Sequence, residues 1–209
     1  MGLFITIEGP EGSGKTTVAK NVVEKLIKEG FDVLYTREPG GVEIAEKIRD
    51  IILDVSNTNL DPRCEALLYA ASRRQHLVEK VLPALEKGYI VICDRFVDSS
   101  LAYQGHARNI GIDEIYDINT FAIDKHWPDI TILLDIDPEI GLQRIMQNRL
   151  EEINRLDLEG MAFHNKVHQG YQIIKEKYAD RITLVDGNDT KEKVFEQVYK
   201  IIKNKINEN

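Results

Sequence analysis

Apolar residues fall into two patterns along this chain: short continuous runs, and longer stretches where they return every third or fourth position. The short runs predict buried strands at 3–7, 31–36, 89–93, 130–136 and 181–185. Helical spacing fills the gaps. Val18, Val22, Val23, Leu26 and Ile27 mark one helix that Gly30 stops, and Ile44, Ile48, Ile51 and Ile52 mark the next. A long helix is predicted from about Arg63 to Lys87 with a kink at Pro83, then a shorter one over 98–104, with Gly105 to Asn109 as a connection. Further helices are predicted from about Asp113 to Lys125, from Pro138, towards Tyr178 and from near Lys191. Strands alternating with helices predict an α/β three-layer sandwich, a central parallel five-stranded sheet flanked by helices. With no internal repeat or linker, a single domain over 1–209 is expected.

In such a sheet ligands bind beyond the carboxyl ends of the strands. Four polar segments follow strands: the glycine-rich turn after Glu8, Arg37-Glu38-Pro39, Asp94-Arg95-Phe96 and Asp186-Gly187-Asn188. The first, Gly9-Pro10-Glu11-Gly12-Ser13-Gly14-Lys15-Thr16-Thr17, fits G-x-x-x-x-G-K-[ST] between a strand and a helix, so the fold class is P-loop NTPase-like. Glycines let a phosphate approach successive backbone N–H groups, and the helix opening at Lys15 adds its positive end. Lys15 is a mobile cation for the β- and γ-phosphates of ATP, and Thr16 offers a hydroxyl to Mg²⁺. Asp94 ends an apolar strand, where a carboxylate can hold the metal's water shell; Asp135 is its rival, and a structural pair with Arg95 or Lys15 is the alternative for Asp94.

Composition narrows the partners. The chain carries 27 basic and 35 acidic residues, a net charge of −8, which argues against a nucleic-acid polymer or a membrane surface as partner. Cys64 and Cys93 are the two cysteines, and Cys93 sits within an apolar strand, so a reduced thiol and a cytoplasmic location are expected. The longest apolar run, Ala66 to Ala71, is far too short to span a bilayer.

From Asn148 to Gly160 the apolar pattern breaks into charges, including Arg149 and Arg155. Beside a phosphate loop such a segment reads as a lid whose arginines reach the transition state on closure; alone it reads as a charged surface loop. Lys15, Arg37, Arg95, Arg149 and Arg155 are then the candidate cations for phosphoryl transfer.

Four further stretches join the phosphate loop: 36–41 (TREPGG), 68–74 (LYAASRR), 94–105 (DRFVDSSLAYQG) and 154–157 (NRLD). Over essentially the whole chain they resemble the thymidylate kinase family, in its bacterial form with the catalytic arginine on the lid, since Gly12 and Ser13 put no base in the phosphate loop. The resemblance implies transfer of the ATP γ-phosphate to dTMP, a step of dTTP synthesis, with Mg²⁺ bridging the phosphates, in a homodimer. It implies that Glu11 approaches the sugar 3′-hydroxyl, Arg37 and Arg95 hold the 5′-phosphate, and Arg49 lines the same pocket. Tyr69 would stack on thymine, Arg73 would donate to its O4, and Ser100 and Gln104 would lie near the polar edge. Tyr103 would fill the space of a ribose 2′-hydroxyl. Phe96 stands where the family mostly has tyrosine and Tyr69 where phenylalanine is usual, and Arg149 and Arg155 are spaced slightly wider than in familiar lids. Without the resemblance, Tyr69 and Tyr103 read as core aromatics, Arg73 as a solvated helix face and Glu11 as a complement to the helix dipole. The alternatives are another P-loop nucleoside or nucleotide kinase and a non-kinase ATP-binding module. A guanine-reading N-K-x-D is absent, since Asn165-Lys166 and Asn204-Lys205 lack the aspartate.

Overall fold

The computed structural model describes residues 2–148 and 155–208. Its centre is a five-stranded, all-parallel sheet in the order β2-β3-β1-β4-β5. The strands are β1 (Leu3–Glu8), β2 (Val33–Arg37), β3 (Ile90–Asp94), β4 (Ile130–Asp135) and β5 (Ile182–Asp186). Side chains alternate between the faces, as period 2 requires. Leu3, Ile5 and Ile7 of β1, with Ile90 and Ile92 of β3, pack on helices α1 (Lys15–Lys28) and α9 (Lys191–Glu208). Phe4, Val91, Cys93 and Leu133 face the opposite layer, built from α3 (Pro62–His76), α6 (Ile112–Ile123) and α8 (Met161–Lys177). Between them in the chain lie α2 (Glu43–Leu53), α4 (Leu82–Glu86), α5 (Val97–Ser100) and α7 (Pro138–Asn148).

Two segments depart from the expected helices. The helix expected to reach Lys87 with a kink at Pro83 instead widens into a π-helical turn at Leu77–Val81, ahead of the proline, before α4 resumes. Pro83 gives no backbone hydrogen bond and its ring crowds the preceding turn, and the wide turn accommodates it. The second departure shapes the site. After α5 the chain continues as a π-helix, Leu101–Ala107, straight through Gly105, where a connection was expected. A Cβ at Gly105 would sit 3.1 Å from the Ile112 Cα, and one at Gly170 of α8 would sit 3.0 Å from the Ala102 Cα. Close packing between segments distant in sequence thus sets this backbone, and wide turns of this kind often occur at functional sites.

Parallel register brings chemistry to one edge. Asp94 lies beside Ile7 on one side and Arg37 on the other, at the carboxyl ends of three adjacent strands. Asp98, by contrast, is structural: buried below that edge, it pairs with both terminal nitrogens of Arg181 at 2.7 and 2.8 Å.

Candidate active site

The phosphate loop leaves β1 and returns its lysine over itself. Lys15 Nζ donates to the Pro10 carbonyl at 2.7 Å and to Ser13 Oγ at 3.1 Å. Burial, then the nearby Arg95 charge, lowers its pKa to about 8. The loop's glycines have a further role beside access for phosphate. A Cβ on Gly12, at φ 72°, would meet the Gly141 carbonyl oxygen of α7 at 2.1 Å, so the loop is packed against a neighbouring backbone. Thr16 Oγ1 donates to Asp94 Oδ2 at 2.5 Å. The alternative for Asp94, an ion pair with Lys15 or Arg95, is not found among the described residues. Asp135, its rival, lies further along the edge and accepts from His168 at 2.8 Å.

Arg95 is the centre of the opposite wall. Its φ is 70°, a left-handed conformation that costs an L-residue about 1–2 kcal/mol. The guanidinium donates to Glu11 at 2.7 Å, to the Gly9 carbonyl and Ser99 at 3.1 Å, and to the Tyr103 and Tyr171 hydroxyls at 3.3 Å. Beneath it sits Glu8, a buried carboxylate that sequence reasoning did not single out. Glu8 accepts from the Phe96 N–H at 2.6 Å, Ser99 at 2.5 Å and Tyr171 at 3.1 Å. Burial, and then the Asp98 charge, raises its pKa, and these donors oppose the rise. Its signal in the sequence was an acid closing an otherwise apolar strand. Tyr171 had none, because it arrives from a helix 163 residues away.

Arg37 and Arg49 converge on one atom, the Pro39 carbonyl, at 2.8 and 2.9 Å, and Glu46 holds Arg37 from behind at 3.1 Å. Gly40, at φ 116°, leaves room there, since its Cβ would meet Glu46 at 2.5 Å. Arg73 is fully enclosed, so the solvated-face reading of it fails. It donates to Glu38 at 2.7 Å, Ser100 at 3.1 Å, the Phe96 carbonyl at 2.9 Å and Asn119, and lies 5.3 Å from the Phe96 ring centre. Glu38, also missed in the sequence, is gripped from its other side by His76 at 2.8 Å.

These groups line one cavity of about 990 Å³. Glu11, Lys15, Thr16, Arg37, Arg49, Tyr69, Arg73, Asp94, Arg95, Ser100, Tyr103 and Gln104 all border it, as do Gly12, Ser13, Gly14 and Thr17. Gly9 and Pro10 belong to the same loop but stand behind it, Gly9 touching Arg95 and Pro10 touching Lys15. Tyr69 is half-buried at the wall, not sealed in the core as its apolar neighbours suggest. At the far end Arg144, Asp189, Thr190 and Phe195 complete the lining. Arg149 lies outside the described residues. Arg155 does not border the cavity in this conformation: it donates to the Ile52 carbonyl at 3.0 Å and pairs with Glu65.

A family model described as thymidylate kinase matches residues 7–198. A thymidylate kinase of Clostridium novyi is 56% identical over 202 residues, 97% of this chain and 98% of that protein. One of Bacillus licheniformis is 55% identical over 208 residues, 100% of this chain and 98% of that protein. The crystal structure of a thymidylate kinase from Ehrlichia chaffeensis superposes with a TM-score of 0.80 at 32% identity, covering 96% of this chain and 98% of that one.

Proposed function

The chain belongs to the thymidylate kinase family, and from that premise we propose how its residues move the γ-phosphoryl group of ATP onto dTMP, giving dTDP and ADP. The observation that carries this reading is the meeting of two anion sites across one cavity, the phosphate loop with Lys15 on one side and Arg37 with Arg95 on the other. ATP lies along Gly9, Pro10, Glu11, Gly12, Ser13, Gly14, Lys15, Thr16 and Thr17. The dTMP phosphate meets Arg37 and Arg95, Arg49 lines the pocket, Glu11 approaches the 3′-hydroxyl, and Tyr103 excludes a 2′-hydroxyl. Tyr69 stacks on the base while Arg73, Ser100 and Gln104 face its polar edge. The attacking oxygen is already ionised, so position and charge, not a general base, set the rate.

Mg²⁺ fits the residues present. Thr16 and Asp94 form an all-oxygen donor set, and among the described residues no cluster of three acidic, His or Cys ligands competes with it. Thr16 and Asp94 would hold the ion, which would supply positive charge against the transferring phosphoryl group.

Arg149 and Arg155 are the lid cations of this reading, over about 148–160 of a single kinase domain. Arg155 must leave Glu65 and Ile52 to act. Arg155→Ala then lowers kcat about 10³-fold with little change in dTMP affinity, the mark of a transition-state contact. Weakened dTMP binding with normal turnover sinks that role.

Steady-state rates with ATP and a panel of nucleoside monophosphates test the substrate. Buried hydrogen-bonding groups reject a wrong edge by about 10⁴–10⁵, so dCMP is excluded, while dUMP, short of one methyl, loses only about 1–3 kcal/mol. A faster reaction with dCMP, dGMP or AMP removes the assignment. Hydrolysis of ATP equal with and without acceptor points instead to a binding module.

α3 and α6 pack together and each exposes a large apolar side chain, Leu67 and Phe121, which is in keeping with a homodimer; sedimentation at the mass of one chain would exclude it. Among the described residues no helix is long and apolar enough to cross a membrane, which is in keeping with a cytoplasmic site of action; recovery in a membrane fraction would count against that.

A further inference from the structure

Glu65 of α3 is almost completely buried and takes three partners from two other segments, the turn that carries Gln104 and Arg108 and the one that carries Arg155. Arg155 pairs with Oε2, while Gln104 Nε2 donates to Oε1 at 2.8 Å and Arg108 Nε stands 3.5 Å from that same oxygen. Among the described residues Gln104 makes no other side-chain hydrogen bond, and it borders the cavity beside Arg73 and Ser100.

A carboxylate held between two guanidinium groups accepts hydrogen bonds and has none to give. Gln104 must therefore turn its NH₂ towards Glu65, leaving its carbonyl oxygen for the cavity. Arg73 can only donate, and the four bonds it already makes leave one N–H of its five. Arg73 and Gln104 thus offer one donor and one acceptor, beside the Ser100 hydroxyl, which accepts from Arg73 and can turn its own O–H either way. Thymine presents the complement, the O4 acceptor beside the N3–H donor. Cytosine presents the inverse, an amino donor beside an N3 acceptor. Arginine cannot reverse its polarity, whereas a glutamine reverses by half a turn about its last bond.

We propose that Glu65 is a specificity-determining positioning residue, which locks the Gln104 amide so that the pocket selects a base carrying N3–H. The proposal rests on the reading of Arg73 and Gln104 as base-edge groups. Reversing Gln104 would set its carbonyl against the Glu65 carboxylate, two acceptors without a proton between them.

Glu65→Gln keeps the size and satisfies Gln104 in either orientation, because an amide both donates and accepts. The kcat/KM values for dTMP and dCMP are measured on the same preparation, so their ratio is independent of the folded fraction and of any change at Arg155, which would act on both acceptors alike. The preference for dTMP over dCMP falls about 10–100-fold in Glu65→Gln. Gln104→Met lowers it comparably, and Glu65→Gln adds nothing further in that background. An unchanged ratio in Glu65→Gln, with Gln104→Met reducing it, overturns the lock alone. A wild-type ratio in Gln104→Met overturns the base-edge reading beneath it. If Glu65→Gln does not fold, Glu65→Asp keeps the charge for the arginines but withdraws the carboxylate by one methylene, and its ratio is read in the same way.

Discussion

Lys15→Ala lowers kcat by about 10²–10³-fold, the scale of removing one preorganised charge donor from a transition state. The ammonium already occupies the hollow of its loop, on the Pro10 carbonyl and Ser13. Phosphate oxygens draw the same cation forward, so little reorganisation remains to be done during transfer. Its pKa of about 8 adds a test in the wild-type protein. The value lies below that of an exposed lysine, so the free enzyme loses this charge as the pH rises through 8, and kcat/KM for ATP declines there. Stability moves the other way. Between about pH 8 and the unfolded value near 10.5 the unfolded chain holds the proton and the folded one does not, so this group's contribution to stability rises with pH across that window. A kcat/KM for ATP that stays flat to pH 10, or an alanine variant of normal turnover, removes Lys15 from the chemistry.

Arg95→Ala lowers kcat/KM for dTMP by about 10²–10⁴-fold, because a charge-paired anion loses its partner in a closed site. Steady-state kinetics with dTMP varied measures it. Arg95→Lys recovers part of the loss, since an ammonium supplies charge without the planar fork that reaches Glu11, Gly9 and Ser99 together. Arg95→Gly separates backbone from side chain. Glycine relieves the left-handed strain at φ 70°, so that variant unfolds at higher denaturant than Arg95→Ala while being equally poor at dTMP turnover. An alanine variant with unaltered dTMP kinetics would falsify the acceptor-phosphate role.

The positions that were legible beforehand are those whose chemistry is local. A strand, a glycine turn and the start of a helix lie within fifteen consecutive positions at the phosphate loop, and the apolar periods on either side set the alternation of the sheet. Asp94 and Arg95 were legible because they end an apolar strand, where the fold places ligands. Arg73 was ambiguous, since a helix surface and a sealed pocket ask for the same residue type. Only Glu38, Asn119 and Ser100, brought from three other elements, decide between them.

Local order along the chain therefore determined the fold class, the phosphate loop and the edge of the sheet that carries the site. Tertiary structure alone decided which polar side chains are buried together: Glu8 under Arg95, Glu38 under Arg73, and Glu65 behind Gln104. The physical reason is range. Periodicity and turn chemistry act over a few residues. A buried charge is tolerated only when partners from distant segments satisfy it, and those pairings exist only after the layers have closed.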